Sequence, residues 1–174
     1  MMMRVLPSPD LEEVVDCAAD DLELLRGARL LVTGGTGFVG QWLLSSLLRA
    51  DDRLRLGLRI DLLARNPVRL PAHITQHRAV QLVPGDVRAL PGLAVVDFAV
   101  HAAASSAAPY GVGDGEPRAM AATIVHGTEA VLAAAAGARV LFLSSGAVYG
   151  RCPVPVAEDA GTGPDPMEPS SAYA

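Results

Sequence analysis

The sequence predicts an α/β protein built on a doubly wound parallel sheet, and three observations predict it. Leu30–Thr33 is an apolar run without polar alternation, as in a strand buried on both faces. Gly34, Gly37 and Gly40 follow it in a G-x-x-G-x-x-G spacing that opens directly into an apolar helix, FVGQWLLSSLL. Beyond that helix, strand-like and helix-like stretches alternate, which implies right-handed βαβ crossovers.

The elements follow in order. Residues 10–26, DLEEVVDCAADDLELLR, place Leu11, Val14, Val15, Ala18, Leu22 and Leu25 on one helical face, with an acidic face opposite. This predicts a packing helix ahead of the first strand, and residues 1–27 are expected to form an N-terminal helical extension. Residues 28–174 then form the sheet domain. After the glycine loop, a second strand is expected at Arg59–Ala64 and a short third at Val80–Val83. A fourth is expected at Leu93–His101 and a fifth at Arg139–Ser144, with an alanine-rich helix from Arg118 to Ala136 between them. From Cys152 to Pro169 the chain is rich in Pro, Gly, Asp and Glu and reads as loop. The pattern is a Rossmann-type sheet, incomplete at about five strands.

Composition narrows the function classes. A chain of 174 residues with 51% apolar content supports one domain with a real core. Its net charge of −5, its lack of any Lys and its scattered Arg residues argue against nucleic-acid binding. No apolar stretch is long enough to span a membrane. The opening MMMRVLPSPD lacks the apolar core of a secretory signal, so a cytoplasmic location is expected. Cys17 and Cys152 show no metal-ligand spacing and read as two reduced thiols.

The glycines carry the first chemistry. Gly34 permits a sharp exit from the strand, Gly37 has no Cβ to obstruct a pyrophosphate, and Gly40 lets the helix pack closely on the sheet. Backbone amides at the helix start, with the helix dipole, then favour a dinucleotide's phosphates. In such sheets ligands gather at the carboxyl ends of the strands, where the remaining polar signatures fall.

At the end of the second strand an acidic residue would bind the ribose 2′-hydroxyl of NAD, whereas an Arg accommodates the 2′-phosphate of NADP. Arg65 stands there and favours NADP; a shifted register would instead bring Asp61 to the position and favour NAD. Asp86, in Gly85-Asp86-Val87, either accepts a hydrogen bond from the adenine amino group or caps the following turn. Ala102, Ala103 and Ala104 are small enough to let a cofactor lie close to the backbone, and His101 before them reads as a satisfied buried histidine rather than a catalyst. A Ser at the end of the fifth strand, in SSGAVYG, can polarise a substrate oxygen, and a Tyr can exchange a proton with it. A phenol with a pKa near ~10 needs a neighbouring cation to act as a base at neutral pH, and no Lys is present to serve.

With TGGTGFVG, GDVR, HAAA, VHGT (Val125–Thr128), LSSGAVYG and the terminal SAYA in one order, the chain resembles the extended short-chain dehydrogenase/reductases, the nucleotide-sugar epimerase/dehydratase family. The resemblance runs from Arg29 to Ala174. It implies pyrophosphate contacts at Gly34, Gly37, Phe38, Val39 and Gly40, adenine contacts at Asp86 and Val87, and Ala102, Ala103 and Ala104 beside the nicotinamide ribose. It implies Ser145 as the residue holding the substrate oxygen and Tyr173 as the proton-transfer group of Y-x-x-x-K. The Lys of that motif would fall at position 177. The family's substrate domain is likewise missing, so the chain is expected to be the N-terminal part of a longer enzyme and inactive alone. The complete enzyme would act on a nucleotide-sugar with NADP or NAD, as an epimerase or reductase, and family members usually dimerise. Dehydratase branches carry Asp or Glu just after the catalytic Ser/Thr, where this chain has Gly146 and Ala147; Ile124 stands where the family often has Asn. The rival expectation is a redox-silent NADP(H)-binding regulatory module.

Overall fold

The structure is a computed structural model that describes residues 6–104, 117–150, 155–159 and 163–164. Five parallel strands form one sheet: β1 (Arg29–Thr33), β2 (Arg59–Ala64), β3 (Val80–Pro84), β4 (Phe98–His101) and β5 (Arg139–Phe142). Their order is β3-β2-β1-β4-β5. The chain therefore runs outward from β1 to the β3 edge, then returns to the other side of β1. That reversal makes the carboxyl ends of β1 and β4 the sheet's topological switch point. Pro84, which cannot donate to a ladder, is tolerated because β3 is an edge strand.

The period-two alternation of the strands divides the apolar residues between two cores, as a doubly wound Rossmann sheet requires. Leu30, Val32, Ile60 and Leu62 face α3 (Phe38–Leu54) and the short α4 (Ala72–Thr75), meeting Leu44, Leu48 and Ile74. Leu31, Leu63 and Ala99 face the opposite way and meet Val131 and Ala135, at the end of α5 (Pro117–Ala134) and just beyond it. Every strand residue named here is at most 4% exposed, so each removes nearly all its apolar surface from water. The turn from α3 into β2 is pinned by the buried Asp51, whose Oδ1 accepts the Leu58 amide at 2.9 Å.

The helical extension differs from the single helix expected over residues 10–26. It forms α1 (Ser8–Cys17) and α2 (Ala19–Glu23), separated at Ala18, whose φ of −115° lies outside the helical range. The break lets Leu22 and Leu25 pack against the larger core. Because α1 rests mainly on one neighbour, α3, it buries a narrow stripe: Val15 is 1% exposed while Val14, expected on the same face, is 40% exposed. Arg49 and Arg53 of α3 pair with Glu12 and Asp16 of α1 across this seam.

Two strands are shorter than expected. β4 begins only at Phe98, where the Asp97 carboxylate accepts the Arg29 amide at 2.8 Å. The preceding Leu93–Val96 run is loop; its apolar character seats Leu93 and Val96 against the smaller core and leaves Val95 87% exposed. β5 ends at Phe142 rather than Ser144, and all four of its residues are exposed. Short 3₁₀ turns at Pro67–Arg69 and Gly146–Tyr149 complete the described chain. No described helix is long and apolar enough to cross a membrane.

Candidate dinucleotide cleft

The loop between β1 and α3 is shaped by close backbone approach. Gly34 has φ +76°, a left-handed conformation, and a Cβ there would lie 2.3 Å from the Ala102 carbonyl. The loop thus leaves β1 pressed against the segment that follows β4. A Cβ on Gly40 would lie 2.3 Å from the Gly34 oxygen and 2.8 Å from the Gly35 Cα. Gly40 thus lets the start of α3 lie directly on the backbone that leaves β1. Gly35, not singled out in the sequence, sits over the larger core, where a Cβ would meet Leu62 and Leu44 at 2.6 and 2.7 Å.

Gly37 is different. Its nearest obstacle is the Gly34 oxygen at 3.3 Å, and it is exposed on a cleft wall. Its amide donates to the Gly34 oxygen at 2.9 Å, and its own oxygen accepts the Gln41 amide at 3.0 Å as the first bond of α3. The amides of Phe38, Val39 and Gly40 precede that bond and have no helical acceptor. They stand at the positive end of the helix dipole. Phe38, 77% exposed, and Val39, 51% exposed, surround them with apolar surface facing solvent.

A cleft of about 420 Å³ runs along the carboxyl ends of the strands. Thr33, Gly34, Thr36, Gly37 and Phe38 form one wall. Leu63 and Arg65 enter from β2, and Gly85, Asp86 and Val87 from the end of β3. Ala102, Ala103 and Ala104 close the β4 side, and Thr123 reaches in from α5. Val39 and Gly40 are outside these walls. Thr33, Thr36, Leu63, Gly85 and Thr123 were not foreseen as site residues; Thr36, between two loop glycines, was the most legible of them. On this side α5 packs closely on the loop after β3: a Cβ on Gly127 would meet Val87 Cγ1 at 2.8 Å.

The register places Asp61 and Arg65 differently. Asp61 pairs with Leu31 in the middle of the sheet, 2% exposed, and its carboxylate accepts Arg29 Nε and Nη2 at 2.8 and 3.1 Å. It cannot reach the strand end, and Arg65 follows immediately after Ala64, the last paired residue of β2. Asp86 accepts the Arg88 amide at 2.9 Å and Arg88 Nε at 3.0 Å through Oδ1, and Nη2 at 3.1 Å through Oδ2. The Arg88 guanidinium, with its amide, holds this carboxyl below the usual carboxylate range. The expected turn cap is present.

His101 is 2% exposed, with Nδ1 2.7 Å from Thr33 Oγ1 and its ring tilted against Phe142 at 5.6 Å. Burial pushes its pKa below the ordinary value. It is the satisfied core histidine that was expected. Ser145 caps the Gly146–Tyr149 turn, its Oγ accepting the Ala147 amide at 3.2 Å, and lies outside the cleft walls. Tyr173 and Cys152 fall outside the described residues, and Cys17 is a free, exposed thiol. Asp51, Asp52 and His77 also converge, but Arg78 binds both carboxylates and supplies the positive charge there.

Residues 30–174 match the NAD dependent epimerase/dehydratase family. No match was found among curated protein sequences. A dTDP-glucose 4,6-dehydratase from Streptomyces venezuelae, DesIV, solved with NAD bound, is 30% identical with a TM-score of 0.63, covering 83% of this chain and 48% of its own. TunA, an NAD dependent NDP-hexosamine 5,6-dehydratase involved in tunicamycin biosynthesis, is 25% identical with a TM-score of 0.59, covering 84% and 46%. The Helicobacter pylori ADP-L-glycero-D-manno-heptose-6-epimerase shares the fold at 18% identity and a TM-score of 0.59, covering 86% and 49%. The chain spans about half the length of these structures.

Proposed function

The chain belongs to the NAD dependent epimerase/dehydratase family, and on that premise we propose that it is the dinucleotide-binding part of an oxidoreductase or epimerase that moves hydride at a sugar carbon of a nucleotide-sugar. In this reading residues 28–174 hold the dinucleotide and residues 1–27 are a helical brace. The observation that carries it is the loop at the sheet's switch point, with the amides of Phe38, Val39 and Gly40 ahead of the first α3 bond and the bare Gly37 on the cleft wall. This cradle fits a diphosphate, which a side chain at Gly37 would crowd.

Gly34, Gly37, Phe38, Val39 and Gly40 would hold the pyrophosphate, and Asp86 and Val87 the adenine. Ala102, Ala103 and Ala104 would flank the nicotinamide ribose, and Arg65 would take a 2′-phosphate, favouring NADP over NAD. When bound, the nicotinamide supplies a hydride acceptor and donor. Ser145 would orient the sugar oxygen and Tyr173 would exchange its proton. Gly146 and Ala147, which offer no carboxylate after Ser145, favour epimerisation or keto-reduction over dehydration. With no Lys among the 174 residues to lower the phenol's pKa, the chain binds a dinucleotide and turns nothing over by itself.

Titration of the purified chain with NADH and NADPH, followed by nicotinamide fluorescence, tests the reading. Saturable binding that Gly37→Val abolishes without lowering the melting temperature supports it. Absence of saturable binding to both dinucleotides overturns it. Turnover of a nucleotide-sugar by the 174-residue chain would overturn the claim of inactivity.

A further inference from the structure

We propose that Arg88 sets the dinucleotide preference of the cleft by cancelling the charge of Asp86, which leaves the Arg65 guanidinium to take a 2′-phosphate. The proposal rests on the dinucleotide reading above. An acidic residue on the adenosine side of such a cleft ordinarily opposes NADP, because the 2′-phosphate brings further negative charge beside it. Asp86 stands on the same cleft wall as Arg65, and the two interact electrostatically. Left bare, its carboxylate would both attract the Arg65 side chain and repel a phosphate.

The Arg88 geometry weakens both effects. Its guanidinium grips both Asp86 oxygens, at 3.0 and 3.1 Å, in the planar fork that suits a carboxylate. Its amide adds a third bond at 2.9 Å, so that the i,i+2 turn holds the pair together. The local charge is then neutral, and one of about four lone-pair sites on the carboxylate is still open. Asp86 thus offers an uncharged-pair acceptor to an adenine amino group. Arg65, exposed and without an ion-pair or hydrogen-bond partner among the described residues, keeps its full charge for the phosphate. Arg88 itself is 48% exposed and is absent from the cleft walls, so it acts through Asp86 as a positioning residue.

Dissociation constants for NADPH and NADH, measured side by side at fixed ionic strength, test this without any need for turnover. Wild type is expected to prefer NADPH, and Arg65→Ala to lose that preference while holding NADH. Arg88→Met, which keeps the apolar stem, is expected to weaken NADPH on the order of tenfold and NADH by less than about twofold. Adding Asp86→Asn to Arg88→Met is expected to restore NADPH affinity, because the stranded charge is gone; a merely structural role for Arg88 predicts no such rescue. Melting curves of all variants separate binding from folding. Equal loss of both dinucleotides in Arg88→Met, or no rescue in the double variant, overturns the proposal. Wild-type binding without preference overturns it while leaving the dinucleotide reading intact, and binding of neither dinucleotide overturns both.

Discussion

Gly40→Ala sets two physical effects against each other, and the geometry decides the sign. Helix propensity alone favours the substitution, since Ala in a helix is more stable than Gly by about 0.5–1 kcal/mol. Against it stands a Cβ placed 2.3 Å from the Gly34 oxygen, 2.8 Å from the Gly35 Cα and 2.9 Å from the Gly34 carbon. These are backbone atoms, and the loop they belong to is itself pressed on Ala102. Relief requires the whole loop to move, and overpacking of this kind costs about 1–3 kcal/mol, with backbone obstacles at the upper end. The net expectation is a loss of about 2 kcal/mol, or a melting temperature lower by about 4–8 °C for a chain of this size. Urea denaturation followed by circular dichroism measures it, with a lower midpoint at unchanged slope. The control is Gly37→Ala, whose new Cβ meets only the Gly34 oxygen at 3.3 Å and whose φ of −81° suits any residue. That variant is expected to stay within about 0.5 kcal/mol of wild type and to lose dinucleotide affinity instead. A Gly40→Ala chain as stable as wild type, or more so, would refute the reasoning.

Three further outcomes are expected. His101 has a native pKa below its unfolded value, so the unfolded chain takes up a proton first as pH falls. Its stability contribution is complete above pH ~6.5 and is lost on acidification from there; His101→Gln is expected to flatten the stability profile below about pH 6.5. Asp61→Ala strands Arg29 beside a buried site and is expected to cost about 3 kcal/mol in urea denaturation, with Arg29→Met in the same chain recovering at least half; strictly additive losses would contradict the pairing. Val15→Ala is expected to lower stability by about 1.5–2 kcal/mol and Val14→Ala by less than about 0.5, so equal losses would show that α1 presents a different face to α3.

The sequence was most legible where burial, spacing and chain order agree. RIDLLA reads as a strand from Arg59 to Ala64, and β2 has those bounds. The glycine loop was equally clear as a strand-to-helix junction. Leu93–Val96 misled because apolar character records what a residue is buried against, not whether its backbone pairs; Val96 is buried in a loop. The split at Ala18 and the four-residue α4 are too local for a helical period to register. At the cleft, Asp61 and Arg65 could be ranked only by a register that depends on β1 pairing, Arg29 against Arg59. Asp86 was balanced between ligand and turn, and an Arg two residues on was visible but its bidentate grip was not. Gly35 was passed over because its neighbours, Leu44 and Leu62, come from distant parts of the chain.

The larger core has a consequence for how the molecule is made. Its members come mostly from consecutive segments, β1, α3, β2, α4 and β3, so a nascent chain that has emerged through Pro84 already carries nearly everything that side of the sheet requires. The floor beneath Gly34 arrives later, with Ala102 and Ala103 behind β4. During synthesis the glycine bend is therefore drafted early and locked late, and ribosome-bound chains released before residue 102 should fold their first three strands while their loop still breathes.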